Sequence, residues 1–181
     1  EEDLDYQLMR TSLLIKYKGE SHNLAHYKRQ LTQSKTPEQK QIAHYALSII
    51  QFEHKKYKQA LAHMNVLLAQ DKTKISYQVI QSRILYHSGS TKRALRQLES
   101  LAELNPDNFS ISMTYANLLV KEKKYRKAAT LVERQTQLRE SDPSVWQKLS
   151  EIEGKTDNKI ATYQAHAEFL YLTGRKSKAL K

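Results

Sequence analysis

Apolar residues recur along this chain with the period of an α-helix, in segments of roughly 12 to 18 residues separated by short polar stretches. The breaker residues agree with that division. Gly19, Gly89, Gly154 and Gly174 mark turns, while Pro37, Pro106 and Pro143 lie near helix starts, where a missing N–H costs nothing and a fixed φ suits the first turn. TPEQ, NPDN and DPSVW read as start signals. No stretch shows the period-two alternation that a half-buried strand requires. The pattern predicts an all-α fold.

The segments also repeat. YKQAL at Tyr57–Leu61, TKRAL at Thr91–Leu95 and YRKAA at Tyr125–Ala129 set Ala60, Ala94 and Ala128 at intervals of 34 residues. A fourth copy, GRKSKAL, carries Ala179, 51 residues beyond Ala128, so one repeat is expected to have lost or altered a helix. With units starting at Gln41, Ile75, Phe109 and Ile160, the eighth place holds Ser48, Ser82, Ala116 and Ala167, and the twentieth holds Ala60, Ala94, Ala128 and Ala179. Small side chains at both places let two helices approach closely. Leu47, Met64, Leu67, Leu98, Leu101, Leu119, Leu131 and Val132 then fill the space between helices.

This spacing resembles the tetratricopeptide repeat (TPR), and the resemblance implies an α-solenoid of about ten antiparallel helices. One domain is expected over residues 1–181. Within it, 1–36 form a degenerate helix hairpin, 41–74, 75–108 and 109–142 are repeats, 143–159 is an irregular half repeat and 160–181 an incomplete C-terminal repeat. An eleventh helix barely begins at the end.

Composition narrows the chemistry. The 181 residues include 30 basic and 19 acidic side chains, a net charge of +11, and no cysteine, which excludes a disulfide scaffold, a thiol nucleophile and a Cys-ligated zinc site. No apolar run approaches the roughly 18 residues of a membrane span. The opening EEDLD, acidic and without Met, reads as a piece of something longer. No GxGxxG, phosphate loop or GxSxG occurs, and Glu151 and Glu153, two apart on a helix, do not face each other. His22 and His26 have the spacing of two metal ligands, but Asn23 stands where a general-base glutamate would be, and the plainer account is an exposed surface pair. The histidines at 44, 54, 63, 87 and 166 show no ligand spacing. No catalytic residue, metal site or cofactor is therefore assigned to the chain, and it is not read as an enzyme.

From Asp142 onward, DPSVWQKLSEIEGKTDN followed by TYQAHAEFLYLTGRKSKAL resembles the C-terminal region of bacterial periplasmic zinc metalloproteases of the BepA (YfgC) type. The residues that carry the resemblance are Trp146, Leu149, Gly154, Ala165, His166, Ala167, Glu168, Phe169 and Gly174. It implies a periplasmic repeat domain that engages outer-membrane assembly machinery, misassembled substrates or its own protease domain in envelope quality control. The His-Glu-x-x-His motif of that family is absent, so zinc is expected only in a separate protease domain.

In arrays of this type the first helix of each unit lines the concave side. The inward places here include Ile42, Tyr45, Ile49, Phe52 and Glu53, then Ser76, Val79, Arg83, Tyr86 and His87, then Asn117 and Lys121. Tyr45, Ile49, Phe52, Arg83, Tyr86, Asn117 and Lys121 are the candidate protein-binding residues, since aromatic and Arg side chains dominate interface energy. The plainer account makes the aliphatics ordinary packing covered by the aromatics. Asn117 and Lys121 match part of a carboxylate-clamp pattern whose other places are unfilled, so recognition of a C-terminal carboxylate is not expected.

The turns within units collect Lys55 and Lys56, Lys92 and Arg93, Lys123, Lys124, Arg126 and Lys127, then Arg175, Lys176 and Lys178, a candidate basic ridge; the plainer account is turn solvation. Three functions compete. The first is the interaction module of a periplasmic metalloprotease. The second is a cytosolic scaffold or regulator that binds another protein. The third is nucleic-acid binding, for which basic and aromatic side chains are poorly interleaved. Protein or peptide partners are expected, not nucleic acid.

Overall fold

Ten helices occupy the described residues of the computed structural model, which are 3–18 and 20–174, with backbone alone for Lys18 and 20–23. They are α1 (Leu4–Lys18), α2 (Glu20–Gln33), α3 (Pro37–Glu53), α4 (Tyr57–Gln70), α5 (Ile75–His87), α6 (Thr91–Leu104), α7 (Phe109–Lys121), α8 (Tyr125–Leu138), α9 (Pro143–Glu153) and α10 (Lys159–Leu172). No strand occurs among the described residues. The turn expected at Gly19, the GRKSKAL copy with Ala179, the eleventh helix, and Arg175, Lys176 and Lys178 lie outside them.

The starts follow their capping residues. Thr36 Oγ1 accepts from Gln39 N (3.3 Å) with Pro37 at the first helical position, and Asp142 Oδ1 accepts from Ser144 N (2.9 Å) ahead of Pro143. Asn108 and Asn158 cap α7 and α10 through bonds from Ile111 N (3.1 Å) and Ala161 N (3.2 Å). Pro106 stands just outside α7, with Asn108 providing the cap.

Three helix ends share one device at the repeat interval. Lys55, Gly89 and Lys123 take φ of +60°, +92° and +59°, and the next N–H in each turn reaches back to Gln51 O, Leu85 O and Leu119 O at 2.8 Å. This is the Schellman closure, in which a left-handed residue lets the chain reverse after one turn. Each then leads directly into the second helix of a pair.

The chain divides into two compact units, Glu1–Ala94 and Leu95–Lys181. In the first, α1 and α2 pack on α3, α3 on α4 and α4 on α5. Its core joins Leu8, Ile15, Tyr27, Leu47, Ile50, Met64, Leu67, Tyr77 and Ile84 around Ala60. In the second, α7 packs on α8, α8 on α9 and α9 on α10. Ile111, Leu119, Val132 and Ile152 are fully buried there. A fully buried Leu, Ile or Met stabilises by about 1.5–3 kcal/mol. Ser48, Ser82, Ala116, Ala60, Ala94 and Ala128, the small residues of the repeat, show no exposure at all.

The C-terminal helices pair differently from the expectation. α10 does not open a separate unit at Ile160; it packs on α9 as α4 packs on α3 and α8 on α7. Counted from Phe109, a fourth unit then begins at Pro143, with Ser150 in the eighth place and Thr162 in the twentieth, and Ser150 Oγ lies 3.4 Å from Thr162 O. Gly154, at φ −61°, does not make the left-handed reversal, so the connection runs on to Asn158, which starts α10 afresh. A longer turn, not a lost helix, breaks the motif there. Ala167, expected in an eighth place, is half-buried on α10.

The turn geometry sets two opposite outcomes in chemical denaturation. Nothing lies within 4 Å of a Cβ added at Gly89, so Gly89→Ala tests backbone conformation alone and should cost about 1 kcal/mol. Lys55→Gly removes the same strain and should be neutral or stabilising by up to about 1 kcal/mol. Equal destabilisation by both would refute the shared closure. Ala116→Leu, at a fully buried place, should cost about 1–3 kcal/mol by overpacking.

Candidate protein-binding face

In the first unit, side chains from α3, the start of α4, and α5 meet in an aromatic group. The Phe52 ring lies 5.3 Å from His87 edge-on and 6.0 Å from Tyr57, Tyr57 stacks on His87 at 6.3 Å, and Tyr86 meets His87 edge-on at 5.4 Å. The Arg83 guanidinium sits over Phe52, with Cζ 5.1 Å from the ring centroid. Helical spacing explains the set: residues 83, 86 and 87 share a face of α5, and residue 52 ends the facing stretch of α3. Arg83 and His87 are exposed, while Phe52 and Tyr86 are half-buried. The cation–π contact and ring packing fix the fork of an exposed Arg without neutralising it. No ion pair among the described residues holds Arg83.

Tyr45 and Ile49 are placed otherwise. Tyr45 is only 6% exposed, lies 6.1 Å from the Tyr77 ring, and has its Oη 3.1 Å from Ser12 Oγ on α1. It is a core residue, because α1 covers the stretch of α3 that would otherwise be open. Burial holds its phenol above the ordinary pKa, opposed by the Ser12 hydrogen bond and Arg83. The neighbouring Tyr77 phenol is pushed up to about 12, first by burial and then by Asp5, Tyr45 and Asp71. Ile49 is half-buried and packs against the core cluster. Tyr57 and His87 join Phe52 and Arg83, and Tyr57 lies outside the candidates that the sequence pattern offers. It opens a second helix, outside the inward places of the first, although an aromatic recurs there at Tyr125.

In the second unit Asn117 and Lys121 are exposed on α7, four apart and on one face. The basic residues at the next turn surround a cleft of about 480 Å³ lined by Lys123, Lys124, Tyr125, Arg126, Lys127, Lys155, Thr156 and Asp157. Lys155 Nζ lies 5.8 Å from the Tyr125 ring. Lys127 is bonded to Glu99 and lies over Tyr115, so its pKa is raised first by the Glu99 bond and that of Glu99 is lowered first by Lys127. In the first unit Lys55, Lys56, Lys92 and Arg93 are exposed at two turns. Lys155 and Asp157 reach the cleft from the long α9–α10 turn, a juxtaposition that no spacing along the sequence signals. On α2, His26 is exposed, and the His22 side chain lies outside the described ones.

Residues 85–152 match the tetratricopeptide repeat family. No curated protein is matched in sequence. Solved structures share the fold. TTC0263, a thermophilic TPR protein of Thermus thermophilus, superposes with a TM-score of 0.69 at 18% identity, covering 98% of this chain and 99% of its own. PilF of Pseudomonas aeruginosa gives 0.70 at 17% identity, covering 98% and 79%. YrrB, a TPR protein with an unusual peptide-binding site, gives 0.61 at 16% identity, covering 98% and 90%. Residues 85–152 thus carry tetratricopeptide repeats, and the chain as a whole shares the all-α solenoid fold of such proteins. Such a scaffold is suited to protein–protein interaction, typically without catalysis of its own. No helix among the described residues is long and apolar enough to cross a membrane.

The buried position of Tyr45 separates stability from binding. Tyr45→Phe should cost about 0.5–1.5 kcal/mol in urea denaturation through loss of the Ser12 contact, and should leave partner affinity unchanged. A drop in affinity without a drop in stability would return Tyr45 to the binding surface.

Proposed function

We propose that the chain is the protein-interaction module of a periplasmic metalloprotease of the BepA type, and that it captures outer-membrane assembly components or misassembled substrates for a separate protease domain. The observation that carries the binding part is the exposed Arg83 guanidinium seated on Phe52 with Tyr57, Tyr86 and His87 beside it. Such a group offers a partner apolar ring area together with unneutralised donors, the combination enriched at interface anchors. The periplasmic and protease parts rest on the resemblance around Trp146, Leu149 and Ala165–Gly174. In that stretch Trp146 Nε1 donates to Glu140 O at 2.8 Å, Leu149 and Ala165 are buried, and Gly174 ends α10 at φ +75°. Zinc chemistry belongs to the separate domain, and this chain contributes capture.

The test measures binding of an unfolded outer-membrane protein and of purified assembly components by interferometry. Arg83→Ala combined with Phe52→Ala should weaken capture by about 1–3 kcal/mol, roughly 5- to 150-fold, with helicity retained. Unchanged capture by the folded double variant would remove the site. The cellular reading is checked separately: the parent gene should encode an export signal and a His-Glu-x-x-His motif upstream, and a parent lacking both would favour a cytosolic scaffold.

A further inference from the structure

We propose that His44 and His63 form a two-imidazole chelate site for a divalent transition ion of the copper, nickel and zinc group. His44 lies on α3 and His63 on α4, and their Nδ1 atoms are 3.0 Å apart. The ring centroids are 5.2 Å apart with planes inclined at 53°, so the rings converge through their nitrogens instead of stacking. Two Nδ1 atoms so close require one N–H facing one lone pair, so the metal-free pair holds a single shared hydrogen. An ion bound to imidazole nitrogen at about 2.0–2.1 Å places two such nitrogens roughly 3 Å apart at a right angle and about 3.4 Å apart at the tetrahedral angle. The observed separation therefore already suits a common ion, and a small ring rotation covers the range.

The chemistry balances without loss of a proton. The imidazole that donates moves its hydrogen from Nδ1 to Nε2 through water, and both Nδ1 lone pairs then point at the metal. Both rings stay neutral as pH falls to lower values than usual, because burial disfavours their charged forms, with His44 and Lys28 adding to the effect on His63. Lys28, on α2, is also the charged group that opposes a bound cation. Both histidines are half-buried. Among the described residues no third His, Cys, Asp or Glu completes the set, so water takes the remaining positions and the preference follows the general order with copper highest. The two residues are 19 apart in sequence, a separation that announces nothing until the α3–α4 hairpin closes.

The test is thermal melting of the full chain in a non-coordinating buffer at pH 7.5 with copper, nickel or zinc chloride. At a hundredfold excess over Kd the midpoint should rise by about 5–10 °C, as expected for a ligand that binds only the folded state. His44→Gln and His63→Gln should each abolish the shift or weaken the apparent affinity at least about tenfold. His26→Gln, which breaks the competing His22/His26 pair, should retain it. A shift lost with His26→Gln and kept with His63→Gln overturns the proposal, as does no shift with any of the three ions. Should the Gln variants fail to fold, copper spectroscopy of His26→Gln decides instead: two coordinating nitrogens uphold the site, and one or none rejects it.

Discussion

Close approach of paired helices is the constraint from which the rest of the structure follows. Ser48 and Ala60, Ser82 and Ala94, and Ala116 and Ala128 are completely buried, and they stand at the same two places of successive units. With so little side-chain volume at the crossing, Leu47, Met64, Leu67 and Leu119 can fill the flanks at interior density. A pair that close leaves no room for a wandering connection, and the left-handed residues Lys55, Gly89 and Lys123 reverse the chain at once. That two of the three are lysine means packing, rather than intrinsic preference, enforces the conformation at those places.

The same constraint decides which residues of a first helix face solvent. On α3, Tyr45 lies beneath α1, whereas Phe52 lies at the end of α3 and remains partly open. Their separation of seven residues puts both on one stripe of the helix, so periodicity alone cannot tell the covered residue from the open one. The covering helix decides. Arg83 then finds an aromatic ring, not a carboxylate, and keeps its charge available.

Legibility followed physical range. The helices, the start signals TPEQ, NPDN and DPSVW, and the small residues of the repeat depend on neighbours within one or two turns, and local spacing revealed them. The fourth unit was harder to read because Thr162 replaces alanine in the twentieth place and Gly154 does not reverse the chain, so the motif lost both of its local marks while the packing of α9 on α10 persisted. His44 with His63, and Tyr57 with His87, are juxtapositions across a hairpin or between units of the repeat. No period within one helix encodes them. Arg83 and Phe52 were legible as residue types on an inward face, but their contact was not.

Charge at the turns is weaker than a count of cations implies. In the second unit Lys127 is committed to Glu99 and Tyr115, and Lys155 lies toward Tyr125, while Asp157 sits in the same cleft. What remains open to a partner is the exposed group Lys123, Lys124 and Arg126, surface charges whose individual ion pairs are worth little in water. Their summed field still extends over about a Debye length, roughly 8–10 Å at physiological salt. Such a field accelerates encounter with an acidic surface more than it holds the complex together. In the proposed binding mode retention would fall to groups that lose water on contact, such as the aromatic surface around Phe52. Attraction and grip would then reside in different places, the basic turns and that aromatic group, and salt should act on the former far more than on the latter.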